Sequence, residues 1–257
     1  MSSIDPVHLE ALVARYEQPA FIAEDPIAVV HAFDEPRDQE VIGLYAALLA
    51  WGRRKLILRK LEMLCACMDY QPYRFVSQFD PVRNGYRLAT FCHRTFQPVD
   101  ALWVTLNLQA LLHRYGSIEA FVAQHLPPRA PTIEPALEAL GHALCALPGT
   151  PERLRKHLPR PSSGSACKRL ALYFRWMVRP GPVDLGLWKV VLPCQLVLPL
   201  DVHVGRQART WGLLQRPQND WQAVQELTEN CRQFCPEDPA RYDFALFGAA
   251  LYGAGAS

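Results

Sequence analysis

Leu154-Arg-Lys-His-Leu158-Pro159-Arg-Pro-Ser-Ser-Gly164-Ser165-Ala-Cys-Lys168-Arg-Leu-Ala-Leu-Tyr-Phe-Arg-Trp-Met-Val-Arg179 is the stretch on which the fold turns. Its first residues predict a short basic helix that stops at Leu158-Pro159. A tight turn rich in Pro, Ser and Gly follows. A new helix is expected to begin near Ser165, with Leu170, Tyr173, Phe174 and Met177 on its buried side. A Gly/Ser turn that feeds a helix leaves backbone N–H groups without partners and suits an anion such as a phosphate. Lys168 falls in the first turn of that helix, beside the same opening.

A second stretch follows, with its Asp201 33 residues after Lys168: Leu192-Pro193-Cys-Gln-Leu-Val-Leu-Pro199-Leu200-Asp201-Val-His203-Val-Gly-Arg206-Gln-Ala-Arg209-Thr-Trp-Gly212-Leu-Leu. An apolar, proline-bounded segment delivers Asp201 to the start of a helix that ends at Gly212. There the helix dipole and the unpaired N–H groups favour an ionised carboxylate. Taken singly, each residue has a plain reading: Lys168 as a surface lysine, Asp201 as an N-cap, His203 as a packing residue.

Outward from these stretches, helix signals dominate. Asp5-Pro6 opens a helix through Tyr16, and Asp25-Pro26 opens another through Phe33. Asp38 is expected to cap a segment, Val41 to Leu49, that is apolar all round and so reads as a buried central helix. Trp51-Gly52 interrupts it, and an amphipathic helix runs from Arg53 to Met68. Further helices are expected from Asp100 to Tyr115, Ser117 to Leu126 and Ile133 to Leu147. Alternating strand patterns are almost absent. The fold class is all-α, with roughly a dozen short helices.

Composition narrows the class. Half of the 257 residues are hydrophobic and a fifth are charged, as in ordinary globular chains. No basic flank with an apolar core opens the chain, and no window reaches eighteen apolar residues, so neither a signal peptide nor a membrane partner is expected. With no export signal, the eight cysteines read as reduced thiols of a cytoplasmic protein. Cys65 with Cys67, and Cys231 with Cys235, lack the spacing of a zinc or iron–sulfur site. No cofactor and no metal are expected. Net charge is only +2, but eight Lys or Arg with no acid lie between Arg153 and Arg179, and Arg53, Arg54, Lys55, Arg59 and Lys60 form a second cluster. Such runs either bind a polyanion or pair in space with acids from elsewhere.

The two stretches together resemble the helix-hairpin-helix glycosylases, the superfamily of endonuclease III. In that superfamily Leu-Pro-Gly-x-Gly-x-Lys-x-Ala carries a catalytic lysine, and a later Val-Asp-x-His-Val-x-Arg carries a catalytic aspartate. Leu200-Asp201-Val202-His203-Val204-Gly205-Arg206 is similar to the second motif, and Lys168, four residues after Gly164, suits the first. The hairpin here has one glycine, and Pro-Arg-Pro-Ser-Ser stands where the compact Gly-x-Gly turn would be. The long Lys168–Asp201 interval looks like the archaeal 8-oxoguanine glycosylase branch, which also lacks the iron–sulfur cluster. Glu40 to Ala50 with Trp51-Gly52 looks like the superfamily's buried helix and DNA-wedging loop. The wording around Lys168 also resembles a bacterial family of unknown function.

The resemblance implies a two-lobed fold with the active-site cleft between the lobes. One lobe would be built from residues 1–37 and 202–257. The other, 38–201, would carry the hairpin at about 154–179. It also implies a base-excision glycosylase with AP-lyase activity, acting as a monomer on damaged double-stranded DNA and used at the bacterial nucleoid. Lys168 would be the nucleophile that forms a Schiff base at the sugar, Asp201 its partner carboxylate, and 8-oxoguanine the first substrate to consider. Arg155, Lys156, Gly164, Ser165, Arg169, Arg53 and Arg54 would contact DNA. Trp51, Trp176, Trp211 and Phe247 would be candidates for the base pocket or wedge, since the target base must leave the stack. A DNA-binding helix-hairpin-helix protein without catalysis is the alternative. A nuclease would need a metal-binding cluster, and Asp184, Asp201 and His203 are too few and too scattered for one.

Overall fold

The computed structural model describes residues 4–253. It is all-helical, and no strand occurs among the described residues. In chain order the α-helices are α1 (Pro6–Tyr16), α2 (Ile27–His31), α3 (Pro36–Leu49), α4 (Arg54–Cys67), α5 (Pro72–Ser77), α6 (Pro81–Leu88), α7 (Pro98–Tyr115), α8 (Ile118–His125), α9 (Glu134–Ala143), α10 (Lys168–Val178), α11 (Val202–Thr210), α12 (Trp221–Arg232) and α13 (Tyr242–Tyr252). Short 3-10 helices lie between them, among them Glu152–His157 and Pro161–Ser163.

The chain divides into two compact units. One comprises Ile22–Pro127 and Glu138–Pro159. At its centre α3 is buried from Glu40 to Leu49, as its all-round apolar sequence requires. The Tyr45 hydroxyl hydrogen-bonds to Thr105 of α7 at 2.7 Å. The buried Glu40 carboxylate accepts the Ile118 and Glu119 N–H groups at 3.0 and 2.7 Å, capping α8 from another helix. Asp38 does not cap α3, which starts two residues earlier at Pro36. Proline at the first helical position sets that start, and the Asp38 carboxylate accepts the Tyr73 N–H at the start of α5 instead. Likewise α7 begins at Pro98, and Asp100 reaches back to the Gln97 N–H at 2.8 Å. Arg153 and His157 both meet the buried Asp100, at 3.0 and 3.4 Å, tying the 3-10 helix to α7.

The other unit comprises Met1–Phe21, Pro128–Leu137 and Arg160–Ser257. In it α13 packs on both α1 and α11. Gly248 of α13 lies so near the Tyr16 ring that a Cβ there would collide with it. α10 is buried from Leu170 to Val178, and the Trp188 ring meets Tyr173 and Phe174 edge-on. This division differs from the sequence expectation of 1–37 with 202–257 against 38–201. The segment from Arg160 to Asp201 clusters with the termini, because α10 is buried on all sides and its Arg175 and Arg179 reach Asp243 of α13 and Glu17 after α1.

Candidate active site

The hairpin turn is built residue by residue. Pro161–Ser163 is one 3-10 turn, closed by the Gly164 N–H donating to the Pro161 carbonyl at 2.8 Å. Gly164 then adopts a left-handed conformation, φ 76°, which glycine takes without strain. The Ser165 hydroxyl accepts the Cys167 N–H at 3.2 Å. Cys167 is also left-handed, at φ 49°, and its buried thiol donates to the Ser165 carbonyl. A non-glycine residue in that region costs energy, and such strain gathers at functional sites. The turn at Cys167 moves the helix start from the expected Ser165 to Lys168, which becomes the first residue of α10.

Asp201 arrives along the fully buried segment Leu196–Leu200 and caps α11. Its Oδ1 accepts the His203 and Val204 N–H groups at 2.8 and 3.0 Å. Its Oδ2 lies 3.1 Å from Lys168 Nζ. The two side chains are 28% and 17% exposed, so the pair is neither sealed nor fully solvated. Burial works to raise the Asp201 pKa, but the Lys168 charge and the hydrogen bonds from Val204, Lys168 and His203 outweigh it and hold the carboxyl below its ordinary value. The group is therefore a carboxylate at neutral pH.

A second acid belongs to this neighbourhood. Asp243 of α13 is buried, and its carboxyl interacts electrostatically with Asp201 and Lys168. Burial is the main cause that raises its pKa to about 6, with Asp201 and Asp184 adding to it against the pull of Arg175 and Lys168. Arg175 donates to Asp243 and meets Asp184 at 3.3 Å. Arg179 meets Asp184, Asp238 and Glu17 at 2.5, 2.8 and 2.9 Å. Sequence reading missed this cluster. It left the basic run open between a polyanion and acids from elsewhere in the chain, and Arg175 and Arg179 take the second course, both buried and paired with carboxylates. An arginine flanked by Phe174 and Trp176 within the apolar run Leu170–Val178 was the available signal, because a buried arginine requires carboxylate partners.

The other expected site residues fall in several places. Arg155 is exposed and pairs with Glu152 at 3.4 Å, and Lys156 is exposed. Arg53 is exposed at the start of α4, and Arg54 meets Glu24 at 3.6 Å. These four lie in the unit that includes Ile22–Pro127, while Gly164, Ser165, Lys168, Arg169 and Asp201 lie in the other. Arg169 is half-buried, and burial pushes its pKa down to about 10. Trp51 is half-buried, with the His93 ring edge-on at 5.6 Å and the Arg94 guanidinium 4.8 Å over its face. Trp176 is fully buried, so it is a core residue and not a surface against which a base could stack. Trp211 is 8% exposed, and Phe247 is half-buried against Phe21. No group of three His, Cys, Asp or Glu side chains suited to a metal ion occurs among the described residues. No helix among them is long and apolar enough to cross a membrane.

No curated protein and no solved structure matches the chain. The model of the family DUF2400, described as a protein of unknown function, matches residues 25–251, and the chain belongs to that family.

Proposed function

We propose that this protein is a DNA base-excision glycosylase with lyase activity, using Lys168 as nucleophile and Asp201 as its partner carboxylate. One observation carries the reading. Two motifs 33 residues apart, each at a helix start, meet as an amine and a carboxylate 3.1 Å apart. An amine that has lost its proton can attack C1′ of a nucleotide with its lone pair. The glycosidic bond breaks, its electrons leave with the base, and the base takes up a proton. Opening of the sugar ring gives a Schiff base on Lys168. Loss of a C2′ proton then expels the 3′ phosphate. Asp201, held ionised by two backbone N–H groups and Lys168, is suited to stabilise the positive charge that develops on the sugar. The Gly164 and Cys167 N–H groups are taken up within the turn, so a phosphate at the hairpin would rely on the side chains beside it, and exposed Arg155, Lys156 and Arg53 would make phosphate contacts of their own.

The fold proposed is the helix-hairpin-helix glycosylase type, the partner damaged double-stranded DNA, and the first substrate 8-oxoguanine, acted on by a monomer. Borohydride trapping on a panel of lesion-bearing oligonucleotides tests the reading. A covalent adduct on one lesion, lost in Lys168→Gln, supports it. A second reading, DNA binding without catalysis, rests on the structural work Asp201 already does, its Oδ1 capping α11 through the His203 and Val204 N–H groups. DNA binding with no adduct on any lesion would select it.

A further inference from the structure

Three consecutive residues at the start of α12 touch Asp201 and the hairpin turn that leads into Lys168. The Asn219 side-chain Nδ2 donates to the Asp201 main-chain carbonyl at 3.0 Å. Asp220 forms an isolated antiparallel bridge with Ser165. The Trp221 N–H donates to the Gly164 carbonyl at 3.2 Å. Gly164 and Ser165 are the hairpin residues that lead into Lys168.

We infer that Asn219–Trp221 is a positioning clamp that sets the spacing of Lys168 and Asp201, with Asn219 holding the aspartate side. The clamp concerns the same pair as the proposed function and rests on that reading for its purpose, though its effect on the pair can be measured without DNA.

The clamp is itself anchored. The Asp220 carboxylate caps α12 through the Ala223 N–H at 3.0 Å and accepts the Arg216 Nε at 2.7 Å. The Asn219 Oδ1 accepts Arg209 Nη2 at 2.7 Å, and Arg209 also donates to the Arg216 and Gln218 carbonyls at 2.8 and 3.2 Å. Arg209 of α11 thus grips the loop that grips the start of α11. Only an amide side chain fits position 219, because one end must donate to Asp201 and the other must accept from Arg209. Gly205 makes room for it: a Cβ there would stand 2.6 Å from Asn219 Oδ1 and 2.9 Å from Arg209 Nη1. The glycine in the Val-Gly-Arg stretch after Asp201 is therefore there for the close approach of Asn219, and its backbone is ordinary helix.

Asn219→Asp separates the positioning role from simple packing. It keeps the shape and the acceptor for Arg209, removes the donor, and sets a carboxylate against the Asp201 carbonyl. The readout is the rate of Lys168 amine acylation, followed by peptide mass spectrometry and compared with exposed Lys55 and Lys156. Asp201→Asn marks the rate when the ion pair is broken outright. In Asn219→Asp and in Gly205→Ala, Lys168 should be modified severalfold faster, approaching the Asp201→Asn rate, while Lys55 and Lys156 stay unchanged. A lowered melting temperature with a wild-type Lys168 rate would overturn the clamp and leave Asn219 a packing residue. If Asn219→Asp does not fold, Asn219→Ser, which keeps a short donor, should give an intermediate rate, and a wild-type rate there overturns the proposal equally. Lack of borohydride trapping in the wild-type protein would count against the glycosylase alone, since acylation reads the pair whatever its chemistry.

Discussion

Arg175 of α10 and Asp243 of α13 form a buried ion pair, and the same Asp243 carboxyl lies in the field of Lys168 and Asp201. The cluster around it joins two arginines, Arg175 and Arg179, to four carboxylates, Asp184, Asp238, Asp243 and Glu17. An excess of acids out of water is relieved by binding protons. Burial accordingly raises Asp238 as well as Asp243.

This surplus predicts a pH dependence. The Asp243 pKa rises from 3.8 to about 6 on folding. A carboxyl that binds its proton more tightly when folded stabilises the fold fully below its unfolded pKa, and the contribution is lost as pH rises through about 6. Asp243→Asn, which has no proton to lose, should gain stability relative to wild type as pH goes from 4 to 7, on the order of a few kcal/mol at most. Thermal melts of both proteins across that range check it, and parallel curves would refute it. Asp201 has the opposite sign: its pKa is lowered, so its contribution is present above the unfolded value and lost as pH falls through the folded one.

Removing the cation should be costly. Arg175→Ala leaves Asp243 and Asp184 buried with less compensation, and breaking a buried pair from one side costs about 3–5 kcal/mol. Arg175→Met together with Asp243→Asn should recover much of that loss, because the volume is kept and no unpaired charge remains. Chemical denaturation of the three proteins provides the comparison. Equal stabilities of Arg175→Ala and wild type would show that the network contributes nothing.

For the reaction itself, Lys168→Gln should abolish both trapping and strand nicking while DNA binding survives, since it deletes the amine and keeps the size. Asp201→Asn keeps a capping side chain for His203 and Val204, and Asn caps about as well as Asp. Its melting temperature should change little while base release slows about a hundredfold or more. Single-turnover assays distinguish the two effects. Base release by Lys168→Gln at the wild-type rate would rule out the amine mechanism.

The basic residues give a salt-dependent test. Replacing Arg155 and Lys156 together should weaken duplex binding and flatten its dependence on salt, because fewer counterions are released. Stability should stay within about 0.5 kcal/mol, as both side chains are exposed. Arg175 and Arg179, though counted in the same run of sequence, should affect folding and not this slope. Wild-type binding at every salt concentration in the Arg155/Lys156 variant would place the DNA surface elsewhere.

Much of the helix pattern was legible, for local reasons. Asp5 caps α1 and Ser117 caps α8 where the sequence put them, and the apolar run after Glu40 is a buried helix. Helix starts were misplaced where proline outweighed the acid two residues later, as at Pro36 and Pro98. The start of α10 shifted because the left-handed turn at Cys167 has no glycine to announce it. Lys168 and Asp201, which lie 3.1 Å apart, could be singled out beforehand because each sits in a local motif. Asp243, Asp184 and Asn219 were not, because their partners lie 9 to 68 residues away and no local pattern records such pairings. Trp176 illustrates the converse: its aromatic character suggested a stacking surface, but the helix bearing it is buried on every side.

The Gly248 contact with Tyr16 has a temporal consequence. α1 leaves the ribosome more than 200 residues ahead of α13, the helix it packs against. At roughly 5–20 residues per second, the apolar side of α1 waits on the order of tens of seconds for its counterpart. Meanwhile α2 to α8 emerge as one uninterrupted run and have their own neighbours at hand. The growing chain thus carries α1 as an unsatisfied guest beside a core that is already closing, and ribosome-bound nascent chains that end before Tyr242 should need a chaperone to keep Leu9, Leu12 and Val13 from aggregating.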